Sequence, residues 1–453
     1  MTLWRIASAV AVLVAVALTG CDGGTSIIAP HNPAIVASAG AHGRVMGGQQ
    51  PIAGASIYLY AAGASGYGSA ATSLLTSSTG NQDESGNWHV TTDANGSFAI
   101  TSDWSCPASP SPSYLYLLAI GGNPGGSSAN PNLALLAALG PCSGVNASTF
   151  VVVNELTTVA SIWALSPFMT GITSIGSNVT NQSGLGNSFA AVNSVANIAT
   201  GTASGPSLPA GATLPIAKIN GLADILASCV NSTGGSAGDS SPCGNLFSAT
   251  TVNGVAPTNT VAAALSMAQH PAANVSALFA LQTPNPPFLP SLSSAPNDLT
   301  IAINYTGGGL DVPAAIATDQ AGNVWVANSG GDTVTWLDNL GNSKLGTTGT
   351  ILGGVPAGLA IDLSGNAWVT ASNNEVYELG SNSGSVVGLP LTGFDGPTAI
   401  AIDPADEIWV VNSGDNTVSA VNTSGTALAG SPFSGAGISA PAAIAINGNP
   451  NNN

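Results

Sequence analysis

The sequence predicts a multidomain, mainly β protein: an N-terminal β-sandwich, a small α-helical middle region, and a C-terminal, incomplete β-propeller of about four blades. Three observations predict it. A segment that opens on proline recurs from Pro313, Pro356, Pro397 and Pro441, at spacings of 43, 41 and 44 residues. A period of roughly 40–45 residues with strand-like alternation is that of a propeller blade. Apolar residues follow helical spacing between residues 154 and 283, and strand and turn signals dominate residues 41–153.

The first 20 residues read as a secretory signal. Arg5 precedes an apolar run from Ile6 to Leu18, and small residues follow. The run is shorter than the roughly 20 residues a membrane span needs. Cys21 stands directly after Leu18-Thr19-Gly20, which resembles a bacterial lipobox. That resemblance implies lipidation of Cys21, a membrane partner through the lipid anchor, and a place in the bacterial cell envelope outside the cytoplasm. Inner and outer membrane stay open. Residues 21–40 are small and polar and read as a tether.

The chain has 453 residues, with 4 Lys+Arg against 21 Asp+Glu and a formal net charge of −17. Nucleic acid is excluded as a partner, because neutralising phosphates takes a footprint of Lys and Arg that four scattered cations do not supply. Few ion pairs are available to be lost on acidification, so the fold is expected to tolerate pH near 4. Cys106, Cys142, Cys229 and Cys243 form an even set, which outside the cytoplasm suggests disulfides. Three connectivities exist. Cys106–Cys142 and Cys229–Cys243 are favoured because each stays within one region.

In residues 41–153, alternation at Ala55, Ile57 and Leu59 predicts a half-buried strand. Asp93-Ala94-Asn95-Gly96 is hairpin-turn chemistry, since Asn and Gly accept positive φ. The elements Gly43-Arg44-Val45, Pro51-Ile52-Ala53-Gly54-Ala55-Ser56-Ile57 and Thr92-Asp93-Ala94-Asn95-Gly96-Ser97-Phe98 occur in order. Together they resemble the carboxypeptidase-regulatory-like or bacterial Ig-like β-sandwich, which implies a spacer or binding module without catalysis.

Residues 154–283 predict four or five short helices. Asn154 is a plausible N-cap for a face of Leu156, Val159, Ile162 and Trp163, and Glu155 complements the helix dipole. Further faces are Phe189, Val192, Val195 and Ala199; then Ile216, Ile219, Ala223 and Leu226; then 261–267 and 275–281. A bundle or helical cap is expected. Residues 284–297, rich in proline, read as a stiff linker.

Residues 298–453 carry the repeats: 313–355, 356–396, 397–440, and a partial copy, 441–453. Each full copy runs from proline through an innermost strand (Ile316, Leu359, Ile400) to Asp319, Asp362 or Asp403. It then turns into a second strand with Trp325, Trp368 or Trp409. The pattern resembles the NHL-type repeat and the repeats of streptogramin-lyase-like propellers. The strand 299–305 is expected to pair with the partial copy and close the ring. The tail 447–453 stands where the next strand should follow, so the repeat count reads as a truncated relative of a longer protein or as an open arc.

For chemistry, Asp319, Asp362 and Asp403 read as turn caps, with carboxylates around a cation as the alternative. Asn323 and Asn366 follow in the same turns, and Asn328 and Asn412 recur as turn residues. The three Trp read as blade packing, with a carbohydrate platform as the alternative. A lyase of the resembled family needs a His and Glu metal constellation on the propeller, and His31, His42, His89 and His270 all lie outside the repeats. Gly234-Gly235-Ser236-Ala237-Gly238 spells G-x-S-x-G in a loop lacking the flanking strand and helix of a nucleophile elbow. The reading assigns no catalytic residue, no metal and no cofactor. It expects a non-enzymatic binding or display scaffold with a protein or glycan ligand. A propeller enzyme of the streptogramin-lyase or lactonase type and a structural or adhesive envelope protein are the alternatives.

Overall fold

The computed structural model describes residues 40–446 except Gly80, Ser102 and Asp103. Cys21, the signal, most of the tether and the tail from 447 lie outside the described residues. The first ten strands are β1 (His42–Gly47), β2 (Gln50–Pro51), β3 (Ser56–Ala61), β4 (Thr72–Ser73), β5 (Asn81–Gln82), β6 (Trp88–Thr91), β7 (Ser97–Ala99), β8 (Tyr114–Ile120), β9 (Ala134–Pro141) and β10 (Phe150–Val153). They form two sheets. The smaller has the order β10-β1-β2, with β7 also on β1; the larger has the order β5-β6-β3-β8-β9, with β4 on β3.

Between the sheets lies a dry cluster that includes Val45, Ile57, Leu59, Phe98, Leu115, Leu117, Leu135 and Val151. Asp93 accepts from the N–H groups of Asn95 and Ser97, as the turn chemistry predicts. However, β6 pairs with β3 and β7 pairs with β1, so this turn carries the chain between sheets and does not make a hairpin.

The expectation of half-buried strands needs correction. On β3 both alternating sets are buried: Ile57 and Leu59 face the smaller sheet, whereas Tyr58 and Tyr60 belong to a second cluster. Tyr116 and Leu118 of β8 join them there. The cover on this second face is helical. Its elements are α1 (Glu155–Leu165), α2 (Gln182–Val195), α3 (Ile216–Val230), α4 (Pro242–Ala249), α5 (Thr260–Gln269) and α6 (Val275–Phe279). A two-strand ribbon, β11 (Met169–Gly171) with β12 (Ser174–Ile175), follows α1. The α-helices therefore number six among the described residues, and they are the third layer of one body, continuous with the sheet. The signal was present in the sequence as the apolar or aromatic residues at every position of 57–60 and 115–118, the pattern of a strand covered on both faces.

Asn154 caps α1 through a box: its side chain accepts from Thr157 N–H at 2.9 Å, and Thr157 Oγ1 accepts from Asn154 N–H at 3.0 Å. Further along α1, Thr158 and Ser161 turn hydroxyls toward β9 and accept from the N–H groups of Leu136 and Ala138. This explains why a helix with so many buried hydroxyls packs on a sheet. Among the described residues no helix is long and apolar enough to cross a membrane.

Disulfides join Cys106 to Cys142 and Cys229 to Cys243, with Cα separations of 5.9 and 4.3 Å. The second ties the end of α3 to the start of α4 across the Ser/Gly loop. Replacing both Cys229 and Cys243 by Ala is expected to lower stability by about 3 kcal/mol, the entropy of a loop near 15 residues. Urea denaturation measures it; an unchanged midpoint would contradict the role.

Residues 284–297 do more than link. Phe288 is buried in the helical cluster, Asn220 donates to the Pro290 carbonyl, and Leu292 lies against Gly221. The strand expected at 299–305 does not reach the partial repeat. Leu299 is buried among the helices and accepts from Trp163 Nε1, and Asn304 exchanges backbone hydrogen bonds with Thr213. The ring is therefore not closed by this segment. Its apolar residues find a ready surface on the helices.

Three antiparallel meanders follow: β13 (Pro313–Thr318), β14 (Val324–Asn328), β15 (Thr333–Leu337) and the short β16 (Thr350–Ile351); β17 (Pro356–Ile361), β18 (Ala367–Ala371) and β19 (Glu375–Leu379); β20 (Pro397–Ile402), β21 (Ile408–Asn412) and β22 (Thr417–Val421). Their inner strands β13, β17 and β20 lie side by side. Residues 441–446 form no strand, though the Pro441 carbonyl accepts from Thr398 Oγ1.

Candidate functional site

The repeated turn explains the repeated aspartates. Asp319 Oδ1 accepts from the N–H groups of Ala321 and Asn323, and its Oδ2 accepts from Asn323 Nδ2 at 2.7 Å. Asp362 accepts likewise from Asn366 N–H and Nδ2, and Asp403 from the N–H groups of Ala405 and Glu407. The fourth turn position needs a left-handed backbone. Gly322 and Gly365 supply it at φ 82°, and Asp406 takes the place at φ 66°. In blades two and three the same aspartate also holds the tryptophan: Trp368 Nε1 donates to Asp362 Oδ2, and Trp409 Nε1 to Asp403 Oδ2, both at 3.0 Å. Asp319 is engaged by its turn alone, Asp362 and Asp403 by turn and indole, and among the described residues they are not grouped as metal ligands.

Trp325 and Trp368 are fully buried between consecutive blades. Trp325 clusters with Leu359, Ala367 and Val369 of the second blade, and Trp368 with Ile400, Ile408 and Val410 of the third. A carbohydrate platform needs an exposed ring face, so these two side chains cannot form one. Trp325 also stacks on Trp336, with centroids 4.5 Å apart, and Lys344 lies over the Trp336 ring. Trp409 is half-buried and stacks on Phe433. Asn328 and Asn412 are not turn residues by themselves. Each is buried and donates across its blade, Asn328 to Thr333 and Thr335, Asn412 to Thr417 and Ser419.

What the repeat pattern hid is a difference between equivalent positions. Leu359 and Ile400 are 9% and 8% exposed, covered by the preceding blade, whereas Ile316 is 68% exposed. Before the first blade the chain belongs to the helical body, so this face meets no blade. It borders a cleft of about 550 Å³ lined by Tyr305, Leu310, Ala314, Ile316, Val324 and Leu337. Asp338 and Asn339 make its polar edge. Burial, with the Asp338 charge added, pushes the Tyr305 hydroxyl pKa up, so the phenol stays a neutral hydrogen-bonding group. Asn339 donates to Asn187 of α2 at 2.6 Å, and Thr335 donates to the Gly308 carbonyl, so the walls are tied to the helical body.

The described histidines lie on β1 (His42), on β6 (His89) and at the end of α5 (His270), away from this cleft. Among the described residues no three His, Cys, Asp or Glu side chains are grouped as metal ligands. Ser236 lies in the Ser/Gly loop, where its N–H donates to Asp239.

Among the described residues, fold and site together define a propeller-like arc of three blades carried on a sheet-and-helix body. No family model matches the chain, and no curated protein matches it. Among solved structures it is similar to a catalytically inactive virginiamycin B lyase from Staphylococcus aureus with quinupristin: 19% identity, 32% of this chain, 48% of that one, TM-score 0.28. It is also similar to a streptogramin B lyase (19%, 28% and 43%, TM-score 0.24) and to Kuenenia stuttgartiensis hydrazine synthase (17%, 28% and 37%, TM-score 0.23). The chain spans less than half the length of each. At these identities and TM-scores the likeness carries no argument, and nothing about activity or substrates passes to this chain.

Proposed function

We propose that this chain is a non-enzymatic binding scaffold that takes a protein partner on the exposed face of its first blade. In this reading it is exported and held at the bacterial envelope by a lipid on Cys21. The observation that carries the binding role is the exposure of Ile316 at a position buried in the other two blades, beside a cleft with an apolar floor and a polar edge. An apolar face of this kind suits a protein segment, because burying it gains about 25 cal/mol per Å². The repeated aspartates, committed to their turns and in two blades also to an indole, favour binding over catalysis.

The test uses a photocrosslinking residue at position 316 in the full chain, exposed to envelope proteins of the host. A discrete crosslinked protein is expected, competed away by purified unlabelled chain but not by its Ile316→Asp variant. The same residue at Ile351, which is 72% exposed on the outer strand, serves as control. Equal crosslinking at both positions, or none at 316, contradicts the proposal.

A further inference from the structure

Glu155 reads in the sequence as a helix-dipole residue, yet in the structure it is fully buried. Its carboxylate lies under the β1–β2 turn, where Gly48 N–H donates to both Oε1 (3.0 Å) and Oε2 (2.9 Å). Asp224 of α3, 1% exposed, accepts from Phe288 N–H at 3.0 Å, and its Oδ2 is buried with no partner. The two anchored backbones meet above the acids. Gly48, in left-handed backbone at φ 58°, has no room for a Cβ against the Pro287 ring, and Gln49 Nε2 donates to the Pro287 carbonyl at 3.1 Å. Gln49 and Pro287 also border both of the clefts found here. One, of about 590 Å³, runs past Arg44, Phe150 and Leu289; the other, of about 640 Å³, runs past Gln50, Asn231 and Asn285. The turn and the proline strap are thus a ridge dividing one groove into two.

The geometry points to a proton-operated latch: Glu155 and Asp224 hold the β1–β2 turn and the 284–290 strap closed while the pair keeps a proton, and ionisation of both releases the ridge and joins the clefts. Among the described residues no cation is paired with either acid. Of the elements packed here, α1 bears no other charge and the strap bears none. Lys218 on α3 is paired with Asp298, and Arg44 on β1 is exposed on the cleft wall. Two buried like charges without a counter-ion are relieved by admitting water, and the ridge is the cover bonded directly to both acids.

The experiment is amide hydrogen exchange on the full chain at pH 6 and pH 9, corrected for the intrinsic pH dependence of exchange. Exchange at residues 47–50 and at Asn285, Phe288 and Leu289 is expected to rise about tenfold or more at pH 9, the effect of one pKa unit or more of coupling. The amides of β8 should hold their protection. Glu155→Gln should keep the ridge closed at both pH values, and Asp224→Asn provides the same readout if the first variant folds poorly. Equal ridge protection at both pH values, loosening shared by β8, or the same loosening in a folded variant would each overturn the latch.

Discussion

Replacing Trp368 by Ala is expected to destabilise the blade arc by about 3–5 kcal/mol, the range for deleting a large buried aromatic. The indole is 1% exposed and fills the space between the second and third blades. Its Nε1–H also satisfies Asp362 Oδ2. Trp409→Ala at the equivalent position of the third blade should cost less, about 1–2 kcal/mol, because that ring is half-buried and its apolar transfer term is correspondingly smaller. The clusters of the arc are separate from those of the sheet-and-helix body. Calorimetry should therefore show the loss in one transition while the body's transition holds its temperature. Equal losses for the two variants, or a shift in both transitions, would contradict the assignment of Trp368 to an inter-blade core.

The second large effect is on pH. Burial pushes the Glu155 carboxyl up to about 8, opposed by the Gly48 N–H and reinforced by the Asp224 charge; burial pushes Asp224 up to about 6, opposed by the Phe288 N–H. Unfolding returns both to the ordinary carboxylate range, so between about pH 4 and pH 8 the folded chain binds more protons than the unfolded one. Their contribution is therefore fully present below about pH 4 and is lost as pH rises through 6 and then 8. A fall of about 3–5 kcal/mol from pH 5 to pH 9 is expected by urea denaturation, and Glu155→Gln should flatten the curve and exceed the wild type at pH 9. Asp239 works in the opposite sense. The Ser241 hydroxyl and the N–H groups of Ser236 and Ser241 hold it below its usual range, so its contribution is present above that range and lost only in stronger acid. A wild-type stability that rises between pH 5 and pH 9 would sink this account. The acid tolerance expected from composition acquires a specific source here, in two buried acids.

Most of the arc was legible as sequence because each blade repeats the same solution to the same local problem. The aspartate that closes the turn, the left-handed residue after it and the tryptophan on the second strand are short-range requirements, readable one copy at a time. The cleft was not legible, because Ile316, Leu359 and Ile400 are the same kind of residue in the same kind of strand. Only their neighbours in space differ. Glu155 was visible as a charge at a helix start, but its burial depends on Gly48, 107 residues earlier in the chain. The three-layer body had a signal in 57–60 and 115–118, where apolar and aromatic residues leave no polar face for solvent.

By itself, then, the sequence determined what is set by nearest neighbours and by counting: the blade period, the Asn154 cap, the turn chemistry, and cysteines spaced to close local loops. Tertiary structure alone decided which faces are covered. It docked 284–305 on the helices, put the helices on the second face of the larger sheet, left the first blade open at Ile316, and buried Glu155 under a glycine turn and Asp224 under the proline-rich strap. The physical reason is that backbone conformation is governed by steric and hydrogen-bonding terms within a few residues, whereas desolvation depends on every surface that arrives from elsewhere in the chain.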